Sequence, residues 1–230
     1  MNTILSRTSG AGLVDRRVSA RIFVPPVKPV SYLACKRALD IAVSLGMLVL
    51  LLPLLLLTAL IIKLQDGGPV LFSQTRVGKG GRHFAFFKFR SMAVDAEARL
   101  AKIMAEHGTE DALRFKLQRD PRITPFGRWI RKLSIDELPQ LVNVLRGDMS
   151  LVGPRPPVPR EVAEYDAYER RRLSVEQGLT CLWQVSGRSL LSFDKQVELD
   201  LEYIRSRNFW MDLKLLFLTV PAVLTGKGAY

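Results

Sequence analysis

The stretch from Ile41 to Ile62, IAVSLGMLVLLLPLLLLTALII, runs for 22 residues without a charge and contains a single proline, Pro53. As one helix it would reach roughly 33 Å, enough to cross the hydrocarbon core of a bilayer. Pro53 argues against a straight rod, because it removes a backbone hydrogen bond and clashes with the preceding turn. Positive charge flanks both ends, with Lys36 and Arg37 before and Lys63, Arg76, Lys79 and Arg82 after. The positive-inside bias would hold both ends on the cytoplasmic side. Together these features predict a re-entrant membrane helix over residues 34–66, which enters, breaks at Pro53 and leaves by the same face.

Residues 1–33 read as a flexible basic leader, interrupted by Pro25, Pro26 and Pro29 and lacking the apolar core of a secretory signal. Residues 67–230 read as one further unit. Val70-Leu71-Phe72, the turn Val77-Gly78-Lys79-Gly80-Gly81, and Phe84 to Arg90 form a predicted β-hairpin. Strand alternation puts Lys88 and Arg90 on the face of Phe84 and Phe86. Helices are predicted over Ser91 to Lys116, Ser134 to Arg146 and Glu161 to Leu173, with one or two more between Phe193 and Leu224. Asp148 to Pro159 reads as a Pro-rich loop. The fold class is therefore α+β, mainly helical: a re-entrant membrane helix, a small β-hairpin and a compact domain at the membrane face.

Hydrophobic residues make up 48% of the 230, and the formal net charge is +12. Such a chain favours anionic partners, whether nucleic acid, anionic lipid or phosphorylated substrates, and composition alone does not choose among them. The two cysteines, Cys35 and Cys181, make no disulfide framework and fit a reducing compartment. His83 and His107 stand alone, which argues against a His/Cys zinc site.

Ser134-Ile135-Asp136-Glu137 has the S-x-x-E form of a capping box, in which Ser134 caps and Glu137 reaches back. Pro139 shifts the expected helix start toward Glu137. Either way, two carboxylates sit at a helix N-terminus, beside N–H groups that suit a phosphate. An ionised Asp136 there can attack phosphorus, and Asp136 with Glu137 can hold Mg2+. Lys88, Arg90, Arg122, Arg128, Arg131, Lys132 and Arg155 supply the cations that phosphoryl transfer needs. Gly78 to Gly81 lacks the Walker A pattern and reads as a hairpin turn rather than a phosphate cradle.

Taken together, several motifs resemble the bacterial sugar transferases, the small monotopic polyprenyl-phosphate phosphoglycosyl transferases. They are Lys36-Arg37 with Asp40, the broken apolar run, Pro69 to Phe72 with Gln74 and Arg76, Phe87 to Met92, and Asp120 to Thr124. Further along come Gly127-Arg128 through Arg131, Asp136-Glu137-Leu138-Pro139-Gln140, Gly147 to Pro156, and Gly178-Leu179-Thr180 with Trp183-Gln184. The likeness covers Tyr32 to Tyr230. Two positions depart from the family pattern: Leu52-Pro53 replaces the frequent Ser-Pro, and Gln177 to Cys181 varies a Pro-Gly-hydrophobic-Thr-Gly turn.

The resemblance implies a catalytic domain at the cytoplasmic face of the bacterial inner membrane. Asp136 would attack the sugar-bearing phosphate of a UDP-sugar, release UMP and hold the phospho-sugar. Undecaprenyl phosphate would then collect it, as the first membrane step of exopolysaccharide, capsule or O-antigen assembly. Glu137 would be the second dyad residue and a Mg2+ ligand with Asp136. Arg131 and Arg155 would bind phosphate or nucleotide. Membrane lipid is an implied partner and nucleic acid is not. Two rival readings remain: a membrane-tethered basic adaptor without catalysis, and a sugar-only transferase that releases UDP.

Overall fold

The computed structural model describes residues 25–96, 98–99 and 120–225. The expected leader and the last five residues thus lie wholly or mostly outside the described part. The apolar run is two helices, α1 (Val30–Leu50) and α2 (Leu52–Asp66), bent by 62°. The joint is Leu51 (φ −91, ψ 5), and Pro53 sits in the first turn of α2, where a missing N–H breaks no bond. Among the described residues no single helix is long and apolar enough to cross a membrane, whereas the bent pair is when taken together. At its far end Gly67 takes the left-handed conformation (φ 70) and its N–H returns to the Lys63 carbonyl, closing α2.

These helices are inverted relative to those of a water-soluble core. Lys36, Asp40 and Ser44, four residues apart on α1, are buried, as is Thr58 on α2. Leu45, Val49, Leu56 and Leu60 are exposed. Lys36 and Asp40 of this inward polar stripe are well partnered, whereas Ser44 Oγ is buried without a hydrogen-bond partner. Lys36 Nζ donates to Asp212 Oδ2 (3.0 Å), the Val152 carbonyl (2.9 Å) and the Tyr203 hydroxyl (3.3 Å). Asp40 accepts from Leu151 N (2.9 Å) and Ser150 Oγ (3.1 Å). Arg37 donates to the Val144 and Leu145 carbonyls. The flanking Lys36 and Arg37 therefore point into the fold, a role that charge counting did not reveal.

The hairpin forms as expected, β1 (Leu71–Val77) against β2 (His83–Phe89), antiparallel with Leu71 opposite Phe89 and Val77 opposite His83. Lys79 to Gly81 make its turn, with Gly80 and Gly81 at positive φ. Phe84 and Phe86 enter one core cluster and Phe89 a second, so both faces of β2 are covered. A buried amide joins the hairpin to the next helix: Asn143 accepts from Phe87 N and donates to the Ala85 carbonyl.

Four expectations need correction. Ser91 to Ala93 are extended rather than helical. Their backbone bonds to Arg122 and Thr124, and Met92 bridges Ile123. A helical turn begins only at Ala96, and most of the stretch to Lys116 lies outside the described residues. Ser134 to Arg146 is not one helix. After α3 (Pro125–Lys132) come a 3-10 turn at Ile135–Glu137 and then α4 (Gln140–Arg146). The Pro-rich loop contains a strand, β3 (Ser150–Val152), parallel to β4 (Gly178–Thr180). Glu161 to Leu173 is split into α5 (Pro159–Glu164) and a 3-10 segment (Glu169–Ser174). The reason is Asp166, whose carboxylate takes the N–H groups of Tyr168 and Glu169 and restarts the helix.

Short α6 (Leu182–Ser186) leads to α7 (Phe193–Ser206) and α8 (Phe209–Thr225), so the tail expected to hold one or two helices holds two. The first core cluster joins Phe84, Phe86, Leu141, Val144, Leu151, Leu201, Ile204 and Leu215. The second joins Ile62, Phe89, Ile130 and Ile135, with Leu54, Leu55 and Ala59 of α2 against them. Thus α2 packs on the turn that carries Asp136 and Glu137, while α1 bonds to β3, three residues before Arg155. The two arms of the bend grip the two sides of one site.

Candidate active site

Ser134 sits in the left-handed region (φ 54) with no side-chain cap bond, so the expected capping box does not form. Charge decides this. Glu137 Oε1 receives Lys88 Nζ at 2.8 Å and Arg155 Nη2 at 2.9 Å, stronger partners than one backbone N–H. A non-glycine residue at positive φ is strained by about 1 kcal/mol or more. Here the strain turns the chain so that Ile135 packs into the second cluster and Asp136 and Glu137 face β2.

Asp136 is buried, with 5% of its surface exposed. Its ion-pair partner is Lys88 at 3.9 Å, too long for a hydrogen bond. Burial pushes its pKa well above the ordinary carboxylate range. Lys88 pulls it back in part, and the Glu137 charge adds to the rise. Burial acts on Glu137 in the same sense, but the charges and hydrogen bonds of Lys88 and Arg155 outweigh it and hold Glu137 well below that range. The adjacent carboxylates thus divide into one firmly ionised and ion-paired, and one held for other use.

Lys88, Arg131 and Arg155, all expected here, do converge: the first and last bind Glu137, and Arg131 acts electrostatically on Asp136. Arg90 does not join them. It lies one residue past the end of β2, where it forms a bidentate pair with Asp66 and donates to the Pro69 carbonyl at 2.6 Å. Arg122 is likewise taken up by Asp120, at 2.6 Å. Pro53 lies at the helix joint, in the first turn of α2.

Two arginines were missed. Arg76 on β1 donates to the Pro156 carbonyl (3.0 Å) and Gln74 Oε1 (2.9 Å), and its Nε is buried without a hydrogen-bond partner. Burial lowers its pKa to about 10, and Arg155 nearby adds repulsion. Its signal was present, since Gln74 and Arg76 lie opposite Phe86 and Phe84 across the hairpin. Arg188 is the other non-glycine residue at positive φ among the described residues (φ 53), and it feels the charges of both Glu137 and Arg155. Nothing in the sequence marked that turn.

The site therefore surrounds two carboxylates with Lys88, Arg76, Arg131, Arg155 and Arg188. This excess of fixed positive charge suits a diphosphate. The donor set also fits Mg2+, which takes one or two carboxylates and leaves its other positions to water and phosphate oxygens. Asp136, buried and short of a close cation, is the fitting ligand, with Glu137 beside it. Cys181 is no competing nucleophile: it is buried, and burial raises its thiol pKa well above the usual value.

The family described as bacterial sugar transferase matches residues 31–226. The galactosyl transferase CpsE of Streptococcus agalactiae is 50% identical over 201 residues, covering 86% of this chain and 44% of its own. The exopolysaccharide production protein ExoY of Rhizobium meliloti is 39% identical over 222 residues, covering 94% and 98%. The undecaprenyl-phosphate galactose phosphotransferase of Salmonella typhimurium is 43% identical over 198 residues, covering 85% and 41%. The chain thus spans less than half of two of these relatives and nearly all of ExoY. By the extent of the family match and by its likeness to ExoY over almost the full length of both, the chain belongs to the bacterial sugar transferase family.

Proposed function

We propose that this chain moves a sugar-1-phosphate from a UDP-sugar to undecaprenyl phosphate, through a covalent phospho-sugar on Asp136. The observation that carries the reading is the division of the dyad. Glu137 takes the direct bonds of Lys88 and Arg155, and Asp136 is left buried at 3.9 Å from its nearest ion-pair partner. The acceptor rests on the name of the Salmonella relative, and exopolysaccharide as the glycan class on that of ExoY.

In the first step an Asp136 carboxylate oxygen bonds to the sugar-bearing phosphorus, and the bond to the UMP oxygen breaks with its electrons leaving on UMP. In the second, a phosphate oxygen of undecaprenyl phosphate bonds to that phosphorus and the carboxylate leaves. Lys88, Arg155 and Arg76 bind and orient the phosphate oxygens, and Arg131 and Arg188 add positive charge around them. Mg2+ held by Asp136 and Glu137 would offset charge on the transferred phosphate. Splitting the transfer lets one site serve a water-soluble donor and a lipid acceptor in turn.

The inverted helices support a membrane seat. Exposed Leu45, Val49, Leu56 and Leu60 are costly in water and favourable in hydrocarbon. The bent pair enters and leaves by one face, and residues 67–230 form the catalytic unit at the cytoplasmic side of the inner membrane. Incubating the purified full chain with a panel of UDP-sugars, Mg2+ and undecaprenyl phosphate is expected to release UMP. Release of UDP would move the reading to sugar-only transfer. An Asp136→Asn protein working at the native rate would remove the nucleophile.

A further inference from the structure

Where the start of α1 meets the turn between α7 and α8, a groove of about 450 Å³ opens, lined among others by Lys28, Pro29, Tyr32, Arg207, Phe209 and Trp210. Two helices begin at this groove. α1 starts behind Pro29 with no side-chain cap and no acidic residue in its first turn. α8 starts behind Asn208, whose Oδ1 and carbonyl accept from Met211 N and Asp212 N. The acid in that turn, Asp212, faces away, toward Lys36, Tyr32 and Tyr203. The positive ends of both helix dipoles thus converge on one opening.

Side chains point to the same ligand chemistry. Lys28 Nζ is fixed at the groove by the Arg205 carbonyl, at 3.1 Å. Arg207 is more than nine-tenths buried, and its Nε has no hydrogen-bond partner. Its nearest carboxylate is Glu176 at 4.0 Å, which Lys79 already holds at 2.6 Å. A buried guanidinium so incompletely paired calls for an anion with several acceptor oxygens. The wall beside it is greasy. Trp210 is 74% exposed, and the outer face of α8 continues through Phe217 and Val220.

We infer that this groove binds the phosphate of an anionic phospholipid, with the acyl chains lying along the exposed face of α8. The phosphate meets Arg207, Lys28 and the first N–H groups of α8, while Trp210 sits at headgroup level. The inference rests on the membrane seat proposed above and is independent of the phosphotransfer chemistry.

The test titrates the full chain in a non-ionic detergent with short-chain phosphatidylglycerol, and separately with inorganic phosphate, following thermal unfolding. At about ten times Kd, phosphatidylglycerol is expected to raise Tm by roughly 3–5 °C. Lys28→Gln, which leaves the core untouched, should weaken binding at least threefold, and Arg207→Gln should abolish the shift. UMP release should persist in Lys28→Gln, which separates loss of this site from failure of the enzyme reading. An equal shift with inorganic phosphate at the same concentration would overturn the lipid assignment. An unchanged affinity in Lys28→Gln would overturn the site itself.

Discussion

Replacing Lys36 by methionine tests whether the start of α1 is an internal clamp or a charge facing lipid headgroups. Lys36 is 6% exposed and Asp212 1%, and their charged atoms lie 3.0 Å apart. Removing one partner of such a buried pair commonly costs about 3–5 kcal/mol, because the other charge stays buried and unpaired. Here Asp212 keeps the Tyr32 hydroxyl at 2.9 Å and the Tyr203 hydroxyl at 2.7 Å. Those bonds place the expected loss at the lower end, about 3 kcal/mol. For a chain of this size that is a fall in Tm of roughly 6–12 °C. Thermal unfolding followed by far-ultraviolet circular dichroism in detergent measures it. The double variant Lys36→Met with Asp212→Asn removes both charges of this pair and should recover at least half of the loss. A single variant that melts within a degree of the native protein, or a double variant no better than the single, would refute the clamp. A headgroup-facing lysine would give the first of those results.

Glu137→Gln frees Lys88 and Arg155 from their shared carboxylate; UMP release should fall about 100-fold or more, the scale of losing a preorganised electrostatic group, and a loss under threefold would count against the dyad. Asp136 has its folded pKa raised, so its neutral form favours the fold: this contribution is complete below the unfolded value, about 3.9, and vanishes as pH rises through the folded value. The reactive form is the ionised one, so initial UMP release should climb with pH over the same window, and a rate flat down to pH values near 4 would contradict that assignment. Pro53→Leu should let α1 and α2 fuse into a straighter helix and push it toward spanning. In a Cys35→Ser background, a Val27→Cys label should react from the cytoplasmic side in the native sequence and from the outer side in the Pro53 variant.

Local signals carried much of the architecture. The glycine turn between two aromatic-rich runs marked the hairpin, and a proline in an apolar run marked the bend. Adjacent carboxylates followed by Leu138 and Pro139 marked the dyad. The failures share a cause, which is distance along the chain. β3 and β4 are three residues each and pair across about 28 positions, so no alternation announces them. Arg90 looked equivalent to Lys88 by parity, but β2 ends between them and Asp66 takes it. Ser134 had the residue type and spacing of a cap, but its left-handed backbone and the hold of distant Lys88 and Arg155 on Glu137 deny it that role. Lys36, Asp40 and Ser44 showed their four-residue spacing openly. The uncharged run drew attention to what faces outward, and the inward stripe passed unread.

The contact between Gly153 and Gly178 bears on how this protein can vary. A β-carbon on Gly178 would lie 2.1 Å from the Gly153 nitrogen, and one on Gly153 would lie 2.4 Å from the Glu176 carbonyl oxygen. Neither neighbour is a side chain that could swing aside, so an alanine at either position must part β3 from β4 and drag Arg155 with it. Gly46, whose β-carbon would meet nothing within 4 Å, carries no such constraint. In a saturation library selected for glycan output, Gly46 should accept many replacements, while Gly153 and Gly178 should come through selection unaltered, each blocking change in the other.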